Sequence, residues 1–171
     1  MTGSFEVNSV EETWELAKRL AAELKPGDVI CLEGDLGAGK TTFTQGLAAA
    51  LGVPGRVNSP TFCIVQEHRS LSNAQPPASN LQPPASNLQP PASNLQPPTF
   101  NLQPVFLVHM DLYRLHGEDD VVAIGWEDYL AEGAILVVEW PERAGSLIPP
   151  DARHVVFAHL EGEESRRIVF R

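Results

Sequence analysis

The sequence predicts an α/β fold, with a mixed central sheet flanked by helices. Three observations predict it. Short apolar runs such as "VICLE" and "AILVVE" read as buried strands, and they alternate with runs of helical period such as "VEETWELAKRLAAEL". A glycine-rich turn joins one such strand to the start of a helix. The chain closes on "RHVVFAHL" and "RRIVFR", which "EGEES" links as an antiparallel hairpin. A length of 171 residues suits one sizeable core, so residues 1–171 are expected to form one domain.

The elements follow in order. A helix is expected from Val10 to Leu24, because Ser9 and Glu12 form a capping-box pattern and Leu16, Leu20 and Leu24 recur at helical spacing. Trp14 and Ala17 widen its apolar face, and "KPGD" ends it as a turn. Val29 to Glu33 is a short buried strand. "KTTFTQGLAAALG" is a helix with Phe43, Leu47, Ala50 and Leu51 on one face and Gly52 as its stop. Thr61 to His68 and Val105 to Arg114 read as two further strands. "EDDVVAIGWEDYLAEG" reads as short helices ending at Gly133, and Ala134 to Glu139 is a buried strand that ends on an acid.

Between the two middle strands lies a tandem heptad, "NAQPPAS", "NLQPPAS", "NLQPPAS", "NLQPPTF" and a partial "NLQP", spanning Asn73 to Pro104. It holds nine of the chain's fifteen prolines. Two adjacent prolines per repeat exclude the coiled coil that a period of seven suggests. A disordered, partly polyproline-II loop leaving a hairpin tip is expected at 73–104. Lengthening a loop from about four residues to about thirty-two costs roughly 2 kcal/mol of closure entropy. An inert expansion is the favoured reading, with a ligand for a proline-binding domain as the alternative.

Net charge is −10, which argues against broad contact with RNA or DNA backbones. No apolar run approaches the roughly 18 residues of a membrane span. The start "MTGSFEVNSVEETWEL" lacks the basic opening and apolar core of a signal peptide, so a cytoplasmic location is expected. Cys31 and Cys63 sit in apolar runs and are expected to be buried, reduced thiols.

The glycine turn carries the chemistry. Gly34 to Thr41 matches G-x-x-x-x-G-K-[ST] in full. Glycines let main-chain N–H groups approach phosphate oxygens closely, and the helix that follows offers its positive end to the same anion. Asp35, Gly37, Ala38, Gly39, Lys40, Thr41 and Thr42 are therefore the candidate nucleotide-binding stretch. Lys40 supplies a point charge for the β- and γ-phosphates, and the Thr41 hydroxyl can ligate Mg2+. The only lysines are Lys18, Lys25 and Lys40, so this one is not part of a basic surface.

Magnesium needs a carboxylate at the carboxyl end of a neighbouring strand. Glu139 follows a continuous apolar strand, and Asp111 follows a similar one broken by His109. One is expected to hold the metal's water shell and the other to orient the attacking water. The dull reading of His109 is a hydrogen-bonded strand histidine. Trp140 either packs in the core or lies beside the nucleotide. Thr61, in "NSPTF", stands where a threonine can sense the γ-phosphate and Mg2+. No Asn-Lys-x-Asp run reads guanine, which favours ATP, and no arginine-rich lid stands out. Arg114 and Arg143 are candidate phosphate or partner contacts.

"GDLGAGKTTF", "SPTF", "HMDLYRL", "GWEDYL" and "VVEWPER", in this order, resemble the bacterial TsaE (YjeE) family. These are the small ATPase subunits of the tRNA threonylcarbamoyladenosine-modifying machinery. The likeness covers nearly the whole chain except the proline heptads, where the family usually has a short hairpin connection. It implies a single-domain phosphate-loop (P-loop) NTPase fold with ATP and Mg2+ as cofactors. It implies ATP hydrolysis that is weak alone and stimulated by the partners TsaB and TsaD, resetting their complex between turnovers. Contact with tRNA would be indirect. By motif, Lys40 and Thr41 would hold phosphate and metal, Thr61 would act as a switch, Asp111 would be needed for activity, Glu139 would serve the metal and Trp140 would lie near the nucleotide. A small-molecule kinase and a nucleotide-dependent scaffold that does not hydrolyse ATP are the competing readings.

Overall fold

A computed structural model describes residues 1–55, 57–60, 63–70, 105–161 and 165–171 of the chain. In chain order the elements are β1 (Gly3–Val7), α1 (Val10–Ala21), β2 (Val29–Glu33), α2 (Lys40–Ala50), β3 (Val65–Arg69) and β4 (Phe106–Asp111). They continue with α3 (Glu118–Ala123), α4 (Trp126–Ala131), β5 (Ile135–Glu139), β6 (Arg153–His159) and β7 (Arg166–Phe170). Short 3₁₀ turns occupy Pro141–Arg143 and Gly145–Leu147.

The seven strands form one sheet in the order β1-β7-β6-β2-β5-β4-β3. β6, β2, β5 and β4 run parallel to one another. β3, β7 and β1 each pair antiparallel with a neighbour, which makes the sheet mixed. Alternation along each strand splits the core in two. Ile30, Leu32 and Val137 pack with Leu16, Leu20, Phe43 and Leu47 of α1 and α2. Val29, Cys31 and Val138 pack with Val121 and Trp126 of α3 and α4. Burial on both faces is why these strands read as continuous apolar runs.

Ser9 caps α1 as expected, its hydroxyl accepting from the Glu12 N–H at 3.1 Å. Glu12 reaches back one residue further than the usual box and accepts from the Asn8 N–H at 2.7 Å. The helix ends at Ala21 rather than Leu24, although Leu24 still packs on the core. Trp14 is half-exposed and lies across Gly46 of α2, where a Cβ would come within 2.9 Å of the indole. Gly46 therefore sets the close approach of α1 to α2. On α2, Phe43 and Leu47 face the core as expected, but Ala50 is exposed.

Three further expectations are corrected. β1 was not anticipated, although Phe5 and Val7 alternate with polar neighbours in the manner of an edge strand. β4 stops at Asp111 rather than Arg114, because the Asp111 side chain accepts from the Tyr113 N–H at 3.1 Å and turns the chain. Cys63 is exposed, since β3 begins only at Val65, after a left-handed residue at Ile64 (φ 67°). Cys31 is buried as expected. The 73–104 repeat lies outside the described residues.

Ser70 and Val105, on either side of residues 71–104, are described. The Ser70 N–H donates to the Val105 carbonyl at 2.9 Å, and the Val105 N–H to the Ser70 hydroxyl at 2.7 Å. β3 and β4 are thus closed where the repeat leaves them. Replacing residues 71–104 by a two-residue Asn-Gly turn is expected to preserve Mg·ATP affinity within about twofold. The recovered closure entropy of roughly 2 kcal/mol should raise the melting temperature by about 4–8 °C. Calorimetry and thermal melting check both, and loss of binding would show that the segment serves the cleft.

Candidate functional site

The carboxyl ends of the central parallel strands are where open α/β sheets present ligand sites. β2 runs there into the loop 34–39, β4 delivers Asp111 and β5 delivers Glu139. Register pairs Asp111 directly with Glu139.

The loop's glycines have separate jobs. A Cβ on Gly34 would lie 2.5 Å from the Phe157 carbonyl, so this glycine answers to the approach of β6 rather than to a ligand. Gly37 (φ 78°) and Gly39 (φ 105°) have open space around them and are required by their left-handed backbone. Gly39 is the N-cap of α2, and no side chain caps that helix. Free N–H groups of its first turn are left at the loop.

Lys40 is folded back into the loop and only 6% exposed. Its ammonium donates to the carbonyls of Gly34 at 2.7 Å and Asp35 at 3.0 Å. It lies 3.7 Å from Glu139 Oε2 and 5.9 Å from the centre of the Trp140 ring. The other Glu139 oxygen, Oε1, is 3.0 Å from Nε2 of the fully buried His109. Trp140 adopts a left-handed backbone (φ 59°), and its ring packs against Tyr113 at 4.9 Å between centres.

These groups surround a cleft of about 480 Å³. Asp35, Gly37, Gly39, Lys40, Thr41, Thr42, Asp111, Glu139 and Trp140 all line it, so the structure brings together nearly every residue expected of the site. Ala38 lines a second cleft, of about 290 Å³, on the other side of the loop. That cleft shares Gly37, Gly39 and Thr42 with the first and adds Ser9, Thr13 and Arg166. Thr61 lies outside the described residues. Arg114 and Arg143 line neither cleft.

Sequence reasoning missed Leu36, Ser59 and Tyr113 as lining residues. Tyr113 and Ser59 were within reach, each two positions from a singled-out residue (Asp111 and Thr61). The contact from His109 to Glu139 was also missed. Its signal was present too, because residues two apart on a strand share a face, and His109 precedes Asp111 by two.

The donor set fits a hard cation held together with a phosphate chain. Among the described residues, no group of three or more His, Cys, Asp or Glu can hold a metal. One hydroxyl, from Thr41, and two adjacent carboxylates suit Mg2+, which keeps several waters and takes phosphate oxygens as ligands. Cys31 supplies no nucleophile beside the loop, since burial, and then Glu33, push its thiol up to about 12.

The chain matches the family model described as "Threonylcarbamoyl adenosine biosynthesis protein TsaE" over residues 7–78 and 84–168. A relative from Bacillus subtilis (strain 168), described as tRNA threonylcarbamoyladenosine biosynthesis protein TsaE, is 35% identical over 160 residues. That alignment covers 94% of this chain and 79% of the relative. A relative of the same description from Aquifex aeolicus (strain VF5) is 36% identical over 139 residues, 80% of this chain and 75% of the relative. The crystal structure of Bacillus subtilis YdiB superposes with a TM-score of 0.65 at 29% identity, covering 99% of this chain and 84% of that one.

Proposed function

The chain belongs to the TsaE family, and from that premise we propose that it is a Mg2+-dependent ATPase of tRNA threonylcarbamoyladenosine biosynthesis. In this reading residues 1–171 form one cytoplasmic domain, with 73–104 as an insert. Its ATP turnover is slow alone and rises when TsaB and TsaD assemble with it, and contact with tRNA is indirect.

One observation carries the reading. Lys40 and the uncapped start of α2 line a single cleft together with Asp111 and Glu139. Donors for a phosphate chain thus share one site with anions for a metal. The N–H groups of Gly37 to Thr42 cradle the phosphates, and the Lys40 ammonium exchanges its two carbonyl partners for phosphate oxygens. Thr41 and Glu139 hold the metal side. Asp111 orients the attacking water, and Thr61 acts as the γ-phosphate switch. Magnesium, when bound, neutralises charge between the β- and γ-phosphates. Trp140 and Tyr113 wall the cleft and exclude bulk water. The second cleft, reached past Thr42, takes the base and ribose.

The test is ATP hydrolysis by the purified full-length chain, alone and with the TsaB–TsaD pair. Slow turnover that rises on adding the pair is expected. Binding of ATP without turnover in either condition would leave a scaffold. A phosphorylated small molecule as product would make the chain a kinase.

A further inference from the structure

Glu139 is a carboxylate only 5% exposed, with one ion-pair partner and one hydrogen-bond partner. Lys40 faces Oε2 at 3.7 Å, and His109 Nε2 meets Oε1 at 3.0 Å. A buried carboxylate is costly unless paired, so both contacts matter to where its oxygens sit. The two partners are not equivalent. Lys40 stands at the start of α2 on a flexible four-carbon stem, and a phosphate arriving there takes its ammonium. His109 stands inside β4, with no exposed surface. On its strand it is two residues before Asp111, whose register partner is Glu139. It is therefore a diagonal, same-face neighbour of Glu139 across the parallel pair.

We propose that His109 is a positioning residue, holding the Glu139 carboxylate in place once the Lys40 ammonium has turned to the nucleotide. The inference rests on the nucleotide-binding reading of the cleft.

The geometry also assigns the proton. A bond to a carboxylate oxygen requires N–H on Nε2. His109 Nδ1 is buried and has no hydrogen-bond partner. A bare lone pair is tolerated there better than an orphaned N–H, because buried unpaired donors are rare. The bond thus places a hydrogen on Nε2. Packing alone does not call for this residue, since its same-face neighbours Leu107 and Val137 are apolar and a leucine would fill the space.

Two variants of the full chain test this. His109→Leu keeps bulk and removes the donor, whereas His109→Gln places an amide N–H where the imidazole Nε2–H stood. Loss of a hydrogen-bond partner behind a metal ligand typically costs 10- to 100-fold. His109→Leu is therefore expected to lower ATP turnover at least about tenfold, with Mg·ATP affinity by calorimetry within about threefold of wild type. His109→Gln should retain turnover within about threefold. Nitrogen-15 NMR of the wild-type imidazole should show hydrogen on Nε2. Wild-type turnover in a folded His109→Leu overturns the inference, and so does an unprotonated Nε2. Should His109→Leu fail to fold, the other two measurements decide, and a folded but inactive His109→Gln also overturns it. If the wild-type chain itself binds no Mg·ATP, the reading of the cleft falls and this inference with it. If wild type binds and turns over while His109→Leu matches it, only the inference falls.

Discussion

Replacing Lys40 with alanine is expected to cut the affinity for Mg·ATP by about a hundredfold or more, roughly 2.7 kcal/mol. Calorimetry at millimolar nucleotide should then register little heat. Lys40 is the only cationic side chain lining the main cleft among the described residues, so nothing there replaces it. Its charge sits among buried groups, where the interaction with an anion is less screened than in water. The fold should survive, because His109 still bonds Glu139 and the Gly34 and Asp35 carbonyls lose only one donor each. Thermal melting verifies this. Wild-type heats from a folded Lys40→Ala would remove the ground for a phosphate site.

Glu139→Ala and Asp111→Ala are expected to act in the opposite sense. Each should lower turnover by about a hundredfold or more while changing Mg·ATP affinity only a few-fold. The two carboxylates are register partners on adjacent strands, both nearly buried. Both also repel the triphosphate that the loop attracts. Removing one relieves repulsion as well as removing a metal or water contact, so binding is partly compensated while the chemical step is not. Single-turnover kinetics beside calorimetry separates the two effects. Hydrolysis at the wild-type rate by Glu139→Ala would refute its metal role, and the same result with Asp111→Ala would refute its part in orienting water.

Much of this arrangement was legible beforehand, for identifiable reasons. The phosphate loop is local: Gly37, Gly39 and Lys40 carry their geometry in adjacent residues. Glu139 and Asp111 were legible because each ends an apolar strand, and parallel strands end together at one edge of the sheet. What escaped depends on pairing across the sheet. The bond from His109 to Glu139 spans 30 residues, and it exists only because β4 lies beside β5 in one register. Gly34 opens the motif, yet its constraint comes from Phe157 on β6. β1 is short and largely exposed, and it is held by β7 from the far end of the chain. No local pattern announces such a partner.

The bonded pair Ser70–Val105 has one further consequence. It lies at the start of β4, whereas Asp111 lies at its end, so the length of the strand, roughly 20 Å, separates the two. Each heptad is encoded by a whole number of codons. Gaining or losing one preserves the reading frame downstream, and the bonded Ser70–Val105 pair is expected to keep β3 in register on β4. Changes in heptad number are therefore expected to be absorbed between Ser70 and Val105, at the opposite end of β4 from Asp111.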